Sequence, residues 1–235
     1  MEVRAINTVV ERDIQEIISD SQIFDAFRGK LILVTGATGL IGSMVARSLI
    51  AANDAYHLSL RVICHVRNIE KAHHMFSDIV DSDILTFVDT PLESLDIACD
   101  YIMHGASPTK SKYFVEHPVD TIRTSIHGTE RMLELGKEQK IKGMVYLSSM
   151  EQYGVPYESG QVMTEDRIGY LDHLNVRSSY SESKRLCECY CKSYAVEFGV
   201  PVKIARLAQT FGAGVPLDDN RVFMQFTQHA LDGRD

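Results

Sequence analysis

Positive charge is scarce in this chain. Its 24 Lys and Arg stand against 32 Asp and Glu, a formal net charge of −8, so no global positive field gathers a phosphate backbone. Nucleic acid is not an expected partner, and any anionic ligand has to be held locally. Long apolar runs are missing as well: none reaches about 18 residues, the length needed to cross a bilayer, and no membrane partner is expected. The opening residues, MEVRAINTVVERD, carry charge from position 2 and do not form a secretory signal. Glycine and proline number only 15 and 6 and do not cluster, which excludes collagen-like and low-complexity architectures. The five cysteines, an odd number with three crowded at Cys187, Cys189 and Cys191, suit thiols in a reducing compartment better than a disulfide framework. Their spacing is not that of a zinc site, and no metal is expected. The expected location is the cytoplasm.

What is present is a globular composition, 45% apolar over 235 residues, or about 1.6 typical domains of roughly 150 residues. Ile14, Ile17, Ile18, Phe24 and Phe27 among acids predict one or two short helices ahead of the first strand. LILV at 31–34 has the length of a buried strand, and Leu40, Ile41, Met44, Val45 and Leu49 then follow at helical spacing. Further strands are predicted at Arg61 to Val66, Ile84 to Val88, Tyr101 to His104, Gly143 to Leu147 and Val202 to Ala205, with helical patterns at Thr121 to Lys137 and Tyr180 to Phe198. Strands alternating with helices imply an α/β fold with a parallel, doubly wound sheet and helices on both faces. Residues 156–177 form the longest stretch without a clear period, and long loops after strands tend to shape the ligand crevice.

Three motifs carry chemistry. TGATGLIG, Thr35 to Gly42, sits between a strand and a helix; its glycines at 36, 39 and 42 permit a tight turn and a close backbone approach to a pyrophosphate, which the helix N-terminus favours. An accidental match is expected only about 0.06 times in this composition. Tyr180 and Lys184, four apart on a predicted helix, share a face, so the ammonium can favour the phenolate and poise it as a base near neutral pH; an exposed helix pair is the plain alternative. Ser148 and Ser149 end the strand Gly143 to Leu147 and precede Met150, Glu151, Gln152 and Tyr153. A hydroxyl and a carboxylate there lie where such sheets bind ligands, although either serine could simply cap a turn.

In this order the motifs resemble the extended short-chain dehydrogenase/reductase superfamily, the NAD-dependent epimerase/dehydratase group acting on nucleotide sugars. HGASPT (104–109), HGT (127–129), RSSYSESKR (177–185) and RLAQTFG (206–212) add to the resemblance, which runs from about Gly29 to the end. It implies a Rossmann-type domain over 30–205, an N-terminal helical extension over 1–29, and at 206–235 the start of a substrate-binding part that is cut short. It also implies Tyr180 as catalytic base, Lys184 on the nicotinamide ribose, and Ser149 on the reacting sugar hydroxyl. Gly36, Thr38, Gly39, Leu40, Ile41, Arg67, Asn68, Asp89, Gly105, Ala106 and Ser107 would line the dinucleotide, with Ser107, Pro108, Gln209 and Arg221 toward the substrate. A homodimer through paired helices, including the one bearing Tyr180, is implied as well.

The chemistry that fits is oxidation of a sugar C4 hydroxyl with NAD or NADP. Family 4,6-dehydratases place Asp-Glu after the catalytic hydroxyl; here the pair is Met150-Glu151, and methionine has no proton to donate. UDP-glucuronate decarboxylases keep the Glu and resemble this chain further in Ala106-Ser107-Pro108, Tyr113, Pro118 and the stretch from Asp219 to Val222. A decarboxylase-like enzyme is therefore the preferred expectation, with a 4-epimerase or 4,6-dehydratase as alternatives, and an NADPH-dependent carbonyl reductase or a non-catalytic dinucleotide-binding protein behind them. The sequence departs from the family pattern at Arg67, where an acid usually meets the adenosine ribose and an arginine either suits a 2'-phosphate or points to solvent while another group holds the ribose, and at Ser125 and Gln209, where asparagines are usual.

Overall fold

The computed structural model describes residues 7–79, 83–160, 162–215, 219 and 221–234. The first six residues of the expected N-terminal extension, and Asn220 of the expected decarboxylase-like stretch, lie outside them. Two short helices, α1 (Thr8–Ile17) and α2 (Ser21–Phe24), lead into the sheet, each started by an acidic or amide cap: Asn7 accepts from the Val9 amide and Asp20 from the Gln22 amide. The six strands are β1 (Leu31–Thr35), β2 (Arg61–His65), β3 (Leu85–Val88), β4 (Tyr101–His104), β5 (Gly143–Ser149) and β6 (Val202–Leu207). All are parallel, in the order β3-β2-β1-β4-β5-β6. Every expected strand is present, and the order is that of a doubly wound dinucleotide-binding sheet.

The connecting helices are α3 (Leu40–Tyr56), α4 (Ile69–Met75), α5 (Ser111–Glu116), α6 (Pro118–Gln139), α7 (Ser179–Glu197) and α8 (Val222–Leu231). LILV reads as an unbroken apolar run because both faces of β1 are covered. Ile32 and Val34 pack with Ala46, Leu49 and Ile50 of α3 and with Ile14 of α1, while Leu33 points the other way, into a core with Met132 and Leu133 of α6 and Cys187 and Cys191 of α7. Cys189 is exposed, as the alternation along α7 requires, and all five thiols are free.

Boundaries differ from expectation where local chemistry outweighs apolar period. α6 starts at Pro118, three residues before the periodic stretch, because proline at the first position has no amide to leave unpaired there. β6 runs to Leu207 through the pairs Ser148↔Arg206 and Ser149↔Leu207, two residues past the boundary expected at 205. Among the described residues of 156–177, Tyr170 forms an antiparallel bridge with Val155, and a 3-10 turn begins at Val176 and runs to Ser178.

Candidate active site

The site forms along the C-terminal edge of the sheet, beginning where β1 and β4 separate. Gly36 follows β1 with φ +72°, and a Cβ there would lie 2.8 Å from the Gly105 carbonyl carbon and 2.9 Å from the Ala106 nitrogen. The two loops therefore touch through backbone alone. Gly42 packs so closely under the Gly36 carbonyl oxygen that a methyl group would overlap it. Gly39 is the N-cap of α3 and brings no side-chain acceptor to the first turn, so the leading amides at Leu40 and Ile41 are left for an anion, where the helix dipole also favours one.

Behind this cradle lies a buried relay that the motifs did not single out. Thr35 Oγ1 accepts from the Gly105 and Ala106 amides, at 3.2 and 3.1 Å, and lies 2.7 Å from His104 Nδ1. Having accepted twice, the hydroxyl donates to Nδ1, so the ring proton sits on Nε2 and is given to Thr129 Oγ1 at 3.2 Å; that hydroxyl donates to the Ser125 carbonyl at 2.7 Å. Burial pushes His104 down to about 3, and the charge of Lys184 adds to this, so the imidazole is neutral. The HGASPT and HGT segments are thereby joined through His104 and Thr129.

At the end of β5 the two serines separate. Ser148 Oγ donates to Glu188 Oε1 at 2.5 Å in the interior, while Ser149 Oγ accepts from the Glu151 amide at 3.2 Å and caps a 3-10 turn over Met150–Tyr153. Ser149 also acts on the Tyr180 phenol, in the lowering direction, so the side chain that caps the turn is felt at the phenol as well. Tyr180 and Lys184 are buried, at 8% and 3% exposure, which excludes an exposed helix pair.

One expectation needs correction. The Tyr180 phenol is not poised near neutrality by Lys184: burial raises it above its ordinary value, Glu151 raises it further, and Ser149 and Arg177 act in the lowering direction. The Lys184 ammonium donates to the Leu147 carbonyl at 2.8 Å and lies 5.6 Å from the Tyr180 ring centroid, 4.8 Å from that of Tyr146. Its own value falls to about 8 through burial. Spacing on a helix placed the two side chains on one face, but their desolvation is a tertiary property.

Other expected residues take varied positions. Ser107 Oγ is 3.4 Å from Ser125 Oγ, and Pro108 is buried beside it. Thr38 is half-buried in the glycine turn, while Arg67 and Asp89 are exposed beyond β2 and β3. The Asn68 side chain is engaged as the cap of α4, accepting from the Lys71 amide at 2.7 Å. Gln209 is exposed after β6. Arg221 turns onto its own segment, donating to Asp219 from Nε and Nη2 at 2.9 Å and to the Thr210 carbonyl at 2.8 Å.

The sequence model of the NAD dependent epimerase/dehydratase family matches residues 32–235. The chain belongs to that family. UDP-glucuronic acid decarboxylase 1 of Danio rerio is 32% identical over 209 residues, covering 87% of this chain and 47% of that protein. The family member thus spans about half the length of the curated relatives it matches. Among solved structures, an epimerase of Methanothermobacter thermautotrophicus superposes with a TM-score of 0.73 at 23% identity, covering 93% of this chain and 62% of that one. A UDP-glucuronic acid 4-epimerase from Bacillus cereus, solved with NAD, gives 0.68 at 23%, covering 87% and 63%. At those identities the likeness speaks for the fold.

Proposed function

We propose that this chain carries the dinucleotide-binding and proton-transfer centre of an enzyme that oxidises the C4 hydroxyl of a nucleotide sugar, with a UDP-glucuronate decarboxylase-like outcome. The observation that carries the reading is the convergence of Ser149, Tyr180 and Glu151 at the sheet edge that also holds the glycine cradle. The cradle suits a dinucleotide pyrophosphate: two glycine positions exclude a Cβ, and the first turn of α3 lacks a side-chain cap. Gly36, Gly39, Leu40 and Ile41 would hold the phosphates, and Gly105, Ala106 and Lys184 the nicotinamide end. When bound, the nicotinamide supplies the hydride acceptor.

The chain's own residues do the rest. Tyr180 Oη, as the phenolate, takes the proton of the sugar hydroxyl, and Ser149 Oγ orients that hydroxyl. With C4 at the ketone level, a C6 carboxylate can leave as CO₂ without any leaving-group acid, and Met150 supplies none. Glu151, held by Arg177 and Ser181, would face the sugar from the same edge. The likeness to curated UDP-glucuronic acid decarboxylases supports this outcome over dehydration. NAD is the dinucleotide that the family pattern favours; the exposed Arg67 at the end of β2 supports NADP as a second reading, separated by titrating the protein with NADH and NADPH in parallel. We further infer a homodimer through the outer faces of α6 and α7, where Val119, Ile122 and Leu186 stand exposed, and a cytoplasmic setting for its free thiols.

The test is incubation of the protein with UDP-glucuronate and neutral nucleotide sugars, followed by mass analysis. Loss of CO₂ from the uronate is expected; loss of water, or isomerisation without mass change, overturns the decarboxylase reading. Tyr180→Phe is expected to abolish turnover while dinucleotide binding stays within about twofold.

A further inference from the structure

Arg177, absent from the expected site residues, stands between the groups on which proton transfer depends. Its Nη2 donates to both oxygens of Glu151, at 3.0 and 2.9 Å, and Ser181 Oγ adds a third hydrogen bond to that carboxylate at 3.3 Å. The guanidinium carbon lies 4.9 Å from the Phe114 ring centroid, and Phe114 stacks on Tyr180 with centroids 4.3 Å apart and planes 3° from parallel. The backbone at Arg177 is set by Asn175, whose side chain accepts from the Arg177 amide at 2.9 Å. A cation, a buried apolar ring and the phenol thus form one stack, with Glu151 as the counter-charge.

We propose that Arg177 is a positioning residue that clamps Glu151 and offsets its charge beside the Tyr180 ring, so that this ion pair tunes the proton acceptor. Burial raises the phenol most and Glu151 raises it further, whereas Ser149 and then Arg177 act to lower it. Among the described residues, the other groups near Tyr180 leave room for this role. Lys184, on its own helix, spends a proton on the Leu147 carbonyl. Tyr146 of β5, its hydroxyl buried and without a partner, brings no cation. α5 presents Phe114, and its Lys112 and Glu116 pair with each other at 3.6 Å.

The test is titration of Tyr180 by NMR on protein carrying tyrosine labelled with ¹³C at Cζ, with Tyr180→Phe to assign the resonance. Arg177→Met is expected to move the titration up by about one pH unit and Glu151→Gln to move it down by a similar amount. Arg177→Lys is expected to restore most of the first shift, and the Arg177→Met/Glu151→Gln double variant to return close to the parent. A merely structural Arg177 would give shifts of one sign in both single variants, or none, and either result overturns the proposal. If Arg177→Met does not fold, Glu151→Gln decides alone, and an unmoved resonance overturns it. The catalytic meaning rests on Tyr180 as the proton acceptor, but the titration does not. Turnover retained in Tyr180→Phe would refute that function and leave the shifts standing, whereas unmoved shifts refute this proposal at any level of activity.

Discussion

Gly42 and His104 show how single residues set the glycine turn and the loop that meets it. Gly42 has no room for a methyl group beneath the Gly36 carbonyl, so Gly42→Ala must push the turn off α3. A loss of about 2 kcal/mol in denaturant unfolding is expected, together with weakened dinucleotide binding; an unchanged midpoint would mean that the turn yields freely. His104 makes a separate statement about pH. Its folded value, about 3, lies far below the unfolded one near 6.5, so the unfolded chain takes up a proton first and stability falls as pH drops from 6.5 toward 3. Between pH 7 and 5 this contributes about 2 kcal/mol. His104→Gln is expected to remove that part of the slope, read by urea unfolding at both values; equal slopes in the two proteins would exclude His104 as the source. Gly42 was legible because a glycine pattern after a strand has one physical purpose. The part played by His104 was not, because its partners Thr35 and Thr129 lie on other elements, 69 and 25 residues away.

Helix α7 is held by a buried charge network as much as by its apolar stripe. Arg206 of β6 donates to both oxygens of Glu188, with the shortest contact at 2.8 Å, and also reaches the Glu165 carbonyl at 2.8 Å and lies 4.9 Å from the Tyr153 ring. Ser148 of β5 completes the coordination of Glu188. Glu188 is one turn beyond Lys184, so these contacts fix the register at which α7 presents Tyr180. Arg206→Met leaves a buried carboxylate without its partner and is expected to cost about 3 kcal/mol. The double variant Arg206→Met/Glu188→Met is expected to cost less than that single change, and a cost equal to the sum of the two singles would show the pair to be uncoupled. The helical spacing of α7 was readable from its apolar positions. Helices α5 and α8 were not read: α5 is only 6 residues long, too short for period to stand out. α8 exposes Val222, Phe226 and Leu231 while burying Met224, so no clean polar face marks it.

For the molecule as a whole, acidity and site are reconciled by geometry. In a chain of net charge −8, the proposed pyrophosphate would depend on amides at one helix end and not on the overall field. The proposed dimer is a test at this scale: Leu186→Glu places a charge in the inferred α6–α7 contact and is expected to give a monomer in sedimentation at concentrations where the parent is dimeric. A dimer that persists would assign the contact elsewhere. The sheet class, the glycine turn and the set Ser149, Tyr180 and Lys184 were legible in the amino-acid order, because period and local spacing are properties of a segment. What those groups do electrostatically came from packing. Desolvation raised Tyr180 and lowered Lys184, and it brought Arg177, Phe114 and Glu151 together from separate elements; burial and charge proximity depend on what packs across the chain, which no local pattern encodes.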